Sequence, residues 1–252
     1  MLIDHLQCSS YITSSSLFYL ILNTCLSTFF FLNSCPAEPN FLLGRSPHAR
    51  PTCRTRRMAA AKSLMRRLPR ASFFYGPMAA GKTSALIRKV REIQRMQPDI
   101  QILAYRPEID TRAPEGQILS RDGTFLENVK KCNNFKTVEP IEDSLLVLDE
   151  AHFCNNDDVL GLFHRAIETK NCSFFVAGLD RNFRGEKFGP MLDMVEVARK
   201  SMIEHEVYAL NAQCYICQEP AAFSKRLVSN DEVFLVGGDD VYQPVCKKHF
   251  YE

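Results

Sequence analysis

From residue 70 onward, two kinds of apolar pattern alternate along the chain. Short unbroken apolar runs bounded by turn residues predict buried strands at 72–75, 100–104, 144–149, 173–178 and 205–210. Between them, apolar residues recur at helical spacing and predict helices at 82–97, 157–169 and 189–200. In the first helix Leu86, Val90 and Ile93 share one face. Strand and helix in alternation imply an α/β fold, a doubly wound parallel sheet covered by helices on both faces. Residues 105–143 break the rhythm. They are rich in Gly, Pro and charge, and read as a mobile loop that follows a strand, where such sheets place ligand loops.

The first 70 residues do not fit the rhythm. "LFYLILNTCLSTFFFL" (17–32) is apolar for 16 residues, short of the roughly 20 that span a bilayer, so no membrane partner is expected. Asp4 and the absence of Lys or Arg before it argue against a secretory signal. Residues 41–70 are Arg-rich and contain no acid, as in an organelle transit peptide, while Met58 offers an alternative start. The expected location is cytoplasmic, or an organelle if this leader directs import.

Charge follows the same division. Residues 1–70 hold nine basic and two acidic residues, the remainder 22 and 27. A net acidic body argues against a nucleic-acid partner. Ten cysteines in 252 residues are too sparse for a disulfide scaffold, and Cys132, Cys154 and Cys172 read as reduced thiols.

"FFYGPMAAGKTSAL" (73–86) carries the first clear chemistry. Gly76, Gly81, Lys82 and Thr83 satisfy G-x-x-x-x-G-K-[ST], between a predicted strand and a predicted helix. Backbone N–H groups can approach phosphate oxygens only where side chains are absent or small, which Gly76, Ala79, Ala80 and Gly81 provide. Lys82 supplies a point charge for the β- and γ-phosphates, and the Thr83 hydroxyl suits Mg²⁺. The chain therefore binds a nucleotide. "SLLVLDEAHF" (144–153) is a buried strand ending in acids: Asp149 as a Mg²⁺ holder and Glu150 as a general base. The spelling D-E-A-H also occurs in helicases. A helicase needs a second motor domain, and only about 100 residues follow Glu150.

Near the C-terminus, "CYIC" (Cys214, Cys217) is followed by "CKKH" (Cys246, His249). Two such pairs suit a tetrahedral, structural Zn²⁺ site with no position left open for catalysis. The intervening segment reads as a hairpin-like loop with a Gly-Gly turn, anchored at both ends and free to fold over something.

In order and spacing, "GPMAAGKTS", "DTR" (110–112), "DEAHF", "AGLDRNFRGEKFG" (177–189), "CYIC", "AAFSKR" (221–226), "VGGDDVY" (236–242) and "CKKH" resemble the type II thymidine kinase family, from about Ser72 to His249. The resemblance implies transfer of the γ-phosphate of ATP to the 5′-hydroxyl of thymidine, with deoxyuridine a second substrate. Glu150 would take the hydroxyl proton. Gly76, Pro77, Met78, Ala79, Ala80, Gly81, Lys82, Thr83 and Ser84, with Asp110, Thr111, Arg112, Asp149 and His152, would form the nucleotide and metal side. Backbone groups of Val233, Phe234, Leu235, Val236 and Gly237 would bond the thymine edge. Tyr242 would reach the sugar, Phe183 would stack on the base, and Met78 and Phe153 would lie beside it. The family also implies homotetramers and feedback inhibition by thymidine triphosphate (dTTP).

His152 stands where the family usually has Gln, Ala79-Ala80 where a Phe or Tyr with Ser or Ala is common, and Phe223 where Tyr is frequent. The long degradation-signal tail of animal cytosolic members is not expected. The expected division is a leader at 1–70, a kinase domain at 71–210 and a zinc-binding lasso at 211–252. A different class of function stays open: a nucleotide-dependent switch or zinc-ribbon binding module without transfer, for which Glu150 would have no use.

Overall fold

A computed structural model describes residues 68–229, 232–233 and 235–252. The leader up to residue 67, and Phe234 of the predicted lid, lie outside the described residues.

Six strands form one sheet: β1 (Ala71–Tyr75), β2 (Gln101–Arg106), β5 (Val129–Lys131), β6 (Ser144–Leu148), β7 (Ser173–Gly178) and β8 (His205–Ala209). Their order is β5-β2-β6-β7-β1-β8 and every pairing is parallel. Helices α1 (Lys82–Met96), α2 (Asn156–Glu168) and α3 (Met191–Lys200) connect them. The predicted elements are present with ends moved by one or two residues. Pro190 delays α3, since it stands as the N-cap rather than inside the helix.

Alternation along each strand explains the covering of both faces. Phe73, Leu146, Leu148, Phe174 and Val176 pack against α2 and α3 through Leu162, Phe163, Met191 and Met194. Their strand neighbours Phe74, Leu145, Val147, Phe175 and Ala177 pack on the other face against Leu86, Ile87, Val90 and Ile93 of α1. Each such large side chain, buried fully, contributes about 1.5–3 kcal/mol. The edge-to-face pair Phe73–Phe163, with ring centroids 5.7 Å apart, ties β1 to α2.

The segment expected to be a loop holds more structure than its composition suggests. It contains a small hairpin, β3 (Gln117–Leu119) with β4 (Phe125–Glu127), and the edge strand β5. Ile118, Leu126 and Val129 close the end of the α1-side core, while Phe135 and Val138 of the same segment are buried in the core on the opposite face.

After β8 the chain forms short ladders: β9 (Ala212–Gln213) with β10 (Pro220–Ala221), and β11 (Phe223–Arg226) with β12 (Tyr242–Val245). A closing helix α4 (Lys247–Tyr251) follows. Ala212, Cys214, Ala221, Phe223 and Val245 form a separate apolar cluster, against which Ala80 of the phosphate loop also packs. Among the described residues, no helix is long and apolar enough to cross a membrane.

Candidate active site

The C-terminal ends of the adjacent strands β6, β7 and β1 open on one edge of the sheet. Parallel sheets gather ligand loops at that edge, and here they line a cleft of about 700 Å³.

The phosphate loop leaves β1 at Gly76, whose φ is 143°. A Cβ there would lie 2.0 Å from the Leu210 carbonyl oxygen, so only glycine fits. Gly81 caps α1 at φ 76° with open space around it, so its requirement is conformational rather than steric. Lys82 is buried and its Nζ donates to the Pro77 carbonyl at 2.6 Å, which folds the loop around the amine. Burial lowers the Lys82 pKa, opposed by Glu150, Asp149 and Asp180. The Met78 N–H donates to Ser224 Oγ on β11 at 2.9 Å, joining this loop to the C-terminal ladder.

Thr83 Oγ1 donates to Asp149 Oδ2 at 3.0 Å. That is the pairing of a hydroxyl and a carboxylate that a hard cation uses. Burial raises the Asp149 carboxyl to about 7, and the neighbouring Glu150 charge pushes the same way. Glu150 occupies the left-handed region at φ 52°, a strained conformation for a residue with a side chain. Burial alone would raise its pKa too, but the charges of Arg112 chiefly, and of Lys82, hold it down at about 2. Arg112 bonds Glu150 directly and donates through Nε to Asp110 Oδ1 at 2.8 Å. The loop carrying these two residues is pinned by Arg106, which is fully buried. It donates to the carbonyls of Asp110 at 3.1 Å, Ala113 at 2.9 Å and Pro114 at 2.7 Å.

His152 is buried between Phe153 and Phe188. Its Nδ1 lies 3.4 Å from Glu150 Oε2, yet the same nitrogen accepts the Leu179 N–H at 3.2 Å. Burial depresses the ring to about 4, so it is neutral and makes no ion pair with Glu150. Gly189 leaves room for it, because a Cβ there would come within 2.7 Å of His152 Cα.

Of the residues singled out in the sequence, the cleft brings together Met78, Ala79, Gly81, Lys82, Thr83, Ser84, Asp110, Arg112, Asp149, Glu150, His152 and Phe153. From the other side come Phe183, Val233, Leu235, Val236, Gly237 and Tyr242. Gly76, Pro77, Ala80 and Thr111 do not line it. Gly76 backs onto Leu210, Pro77 holds Lys82, Ala80 packs into the C-terminal cluster, and Thr111 is exposed. The Tyr242 hydroxyl donates to the Leu235 carbonyl at 3.1 Å, so contact with a sugar requires it to exchange that partner. Sequence reasoning passed over Ser224, Arg226 and the hairpin tip at Ser120–Arg121–Asp122. Arg121 bonds Asp239, bringing the tip against the 227–241 loop. Ser224 and Arg226 fall within the quoted "AAFSKR", but no local pattern tells what they or the tip touch; only the tertiary pairing of distant segments does.

The Cys/His cluster stands apart from this cleft. One ligand atom from each of Cys214, Cys217, Cys246 and His249 lies within 4.8 Å of all the others. Cys217 Sγ and Cys246 Sγ are 3.8 Å apart, and His249 Nδ1 is 3.4 Å from both Cys214 Sγ and Cys246 Sγ. A tetrahedron of Zn–S bonds near 2.3 Å has edges of about 3.8 Å, so the donor set and its spacing fit zinc. Burial opposes ionisation of Cys214. Backbone N–H groups of Cys217, Cys246 and Ile216, with the His249 ring, overcome it and bring the thiol to about 5.

Phosphate loop, strand-end carboxylates and cation-bearing loop together define a P-loop nucleotide-binding protein built for phosphate transfer. The comparisons narrow this. The family described as "TK: Thymidine kinase" matches residues 70–250. A thymidine kinase of Mycoplasmoides gallisepticum (strain R(low / passage 15 / clone 2)) is 33% identical over 183 residues, covering 69% of this chain and 77% of that protein. The chain belongs to the thymidine kinase family. Among solved structures, the HK97 bacteriophage large terminase aligns with 60% of this chain and 36% of its own length, at a TM-score of 0.35 and 13% identity.

Proposed function

We propose that this chain transfers the γ-phosphate of ATP to the 5′-hydroxyl of thymidine, and of deoxyuridine, with the residues of the cleft in the roles that follow. The observation that carries this reading is the convergence of Lys82, Thr83, Asp149, Glu150 and Arg112 with the 233–242 segment in one cleft. Lys82 and the backbone of 76–83 hold the β- and γ-phosphates. Thr83 and Asp149 would hold Mg²⁺, which would supply positive charge to offset that of the phosphates.

Glu150 accepts the proton of the 5′-hydroxyl as that oxygen bonds to the γ-phosphorus and the bond to the β-phosphate oxygen breaks. With Arg112 on it, Glu150 is a weak base. Incoming phosphates compete for the guanidinium. As Arg112 turns to them, Glu150 loses the charge that depresses it, and the transferring group gains a cation. His152 stays neutral and adds no charge to this exchange.

On the acceptor side, Phe183, Phe153 and Met78 surround the base, and backbone groups of Val233 to Gly237 match the donor and acceptors of the thymine edge. Cys214, Cys217, Cys246 and His249 hold a structural Zn²⁺, which fixes the foot of the 211–252 lasso. dTTP is the proposed feedback inhibitor, since it presents thymine to the lid and phosphates to the loop of one cleft. We further assign a homotetramer, measurable by sedimentation, and the cytosol. Import into an organelle, if residues 1–70 direct it, is the alternative that a fluorescent fusion with and without them decides.

The test is phosphate transfer by the full chain with ATP, Mg²⁺ and each of the four deoxynucleosides plus deoxyuridine. Transfer confined to thymidine and deoxyuridine is expected. Transfer to a purine nucleoside would overturn the lid assignment. Nucleotide binding without transfer would favour a switch or binding module.

A further inference from the structure

We propose that Arg226 is the positioning residue of the nucleoside lid. Its single guanidinium holds the Phe183 ring and the stem of the 227–241 loop in a fixed relation, so that the base enters a preformed slot. This rests on the thymidine kinase reading of the cleft and assigns a residue that the reading does not use.

Arg226 is the last residue of β11 and stands directly across the ladder from Tyr242, the first of β12. One further bond, Leu227 N–H to the Val241 carbonyl at 2.8 Å, closes the stem. Beyond it the chain runs thirteen residues, and the described ones among them form no strand. A loop of that length keeps a fixed shape only if something other than its own ladder ties it down.

Arg226 supplies the ties over the face of its guanidinium and along its edge. Its Cζ lies 3.7 Å from the centroid of the Phe183 ring, well inside cation–π range. Nη1 donates to the Glu232 carbonyl at 2.6 Å and Nη2 to the Val233 carbonyl at 3.5 Å. Nε and Nη2 both donate to the Tyr242 hydroxyl, which passes its own proton on to the Leu235 carbonyl. The fixed carbonyls at 232, 233 and 235 thus lie just before and within the 233–237 backbone assigned to the thymine edge. Donation from a cation polarises the Tyr242 O–H and strengthens the bond it makes. Only a planar fork can stack on a ring and bond three partners along its edge at once; a Lys ammonium cannot.

The role is separable from holding the ribbon together. Arg226 and Tyr242 occupy one end of the β11–β12 ladder, while Phe223 and Val245, which pack in the apolar cluster beside Cys214 and Cys246, occupy the other.

The experiment measures the KM for thymidine and for ATP separately in the full chain, with Arg226→Lys, Arg226→Gln, Tyr242→Phe and the Lys/Phe double variant. Zinc content is measured in each. Arg226→Lys is expected to raise the thymidine KM about 10- to 100-fold, the effect of one lost charge-assisted hydrogen bond. The KM for ATP should move by no more than about twofold, and kcat less than the thymidine KM. Tyr242→Phe should add less to Arg226→Lys than it costs alone, because both break one chain of bonds. Equal movement of the two KM values, no movement of either, additive effects, or loss of zinc from the Lys variant would each overturn the proposal. A wild-type chain that binds ATP but phosphorylates neither thymidine nor deoxyuridine sinks the kinase reading itself, and this assignment with it.

Discussion

Glu150 and His152, two positions apart, show how one residue's environment sets its use. Glu150 is held in a strained left-handed backbone with its carboxylate against Arg112. Glu150→Gln keeps the shape and removes the proton acceptor. We predict turnover lower by about 10²–10⁴-fold with nucleotide affinity nearly unchanged; surviving turnover would refute the base assignment. His152 titrates near 4 in the fold against 6.5 when exposed. Its folded pKa is the lower one, so as pH falls from about 6.5 to 4 the unfolded chain takes up a proton that the fold refuses, and stability is lost. Asp149, raised to about 7 from 3.8, acts with the opposite sign over much of the same range. Wild type alone therefore cannot display the histidine effect, but comparison with His152→Gln can. The variant should gain on wild type by about 2 kcal/mol at about pH 5 relative to pH 8. For a chain of this size that is about 4–8 °C in melting temperature. A gap constant with pH would mean that the ring takes up its proton in the fold as readily as in the unfolded chain. Glu150 was legible because a phosphate loop makes an acid pair at a strand end meaningful. The contacts that hold Glu150 and His152, through Arg112, Leu179 and Gly189, were not, since they arise only when three loops meet.

At the level of elements, periodicity served the central strands and helices well because packing on both faces of the sheet enforces it. Leu86, Val90 and Ile93 are all buried as their spacing requires. It failed at β5, where Val129 is the one buried residue of three and the other two are exposed lysines. An edge strand this short has one apolar side chain to offer, too few to show a period. The hairpin β3–β4 is hidden for the same reason. The C-terminal ribbon is the reverse case, legible through its Cys/His spacing rather than through its strands, each of two to four residues. Such ladders have little apolar burial to stand on, and a metal bound by the four Cys/His ligands would supply the missing stabilisation. Cys214→Ser or Cys246→Ser should therefore lose zinc and most order in the 211–252 ribbon while the six-stranded sheet survives. Amide exchange in the ribbon, measured beside metal content, checks this. Full zinc content in either variant would contradict the ligand set.

For the whole molecule, the question is whether sheet and ribbon act as one body. Two contacts join them at the phosphate loop: Met78 N–H on Ser224 Oγ, and Ala80 within the ribbon's apolar cluster. The loop that would grip the phosphates is thus also the floor on which the nucleoside lid stands. Ligands on either side should then stabilise both parts. A ligand at about 100 times its Kd adds about 2.7 kcal/mol to the folded state. That corresponds to about 5–10 °C in a chain of this size. ATP with Mg²⁺, and thymidine, should each raise a single unfolding transition by about that much in the zinc-loaded protein. Once zinc is stripped by a chelator, the thymidine shift should vanish, because the lid has lost its foot. The ATP shift should persist, because Lys82, Thr83 and Asp149 all belong to the sheet's own loops. Separate transitions in the zinc-loaded protein, with thymidine raising only one, would show the ribbon to be an independent unit. The lid would then have to close on the nucleoside without help from the phosphate loop.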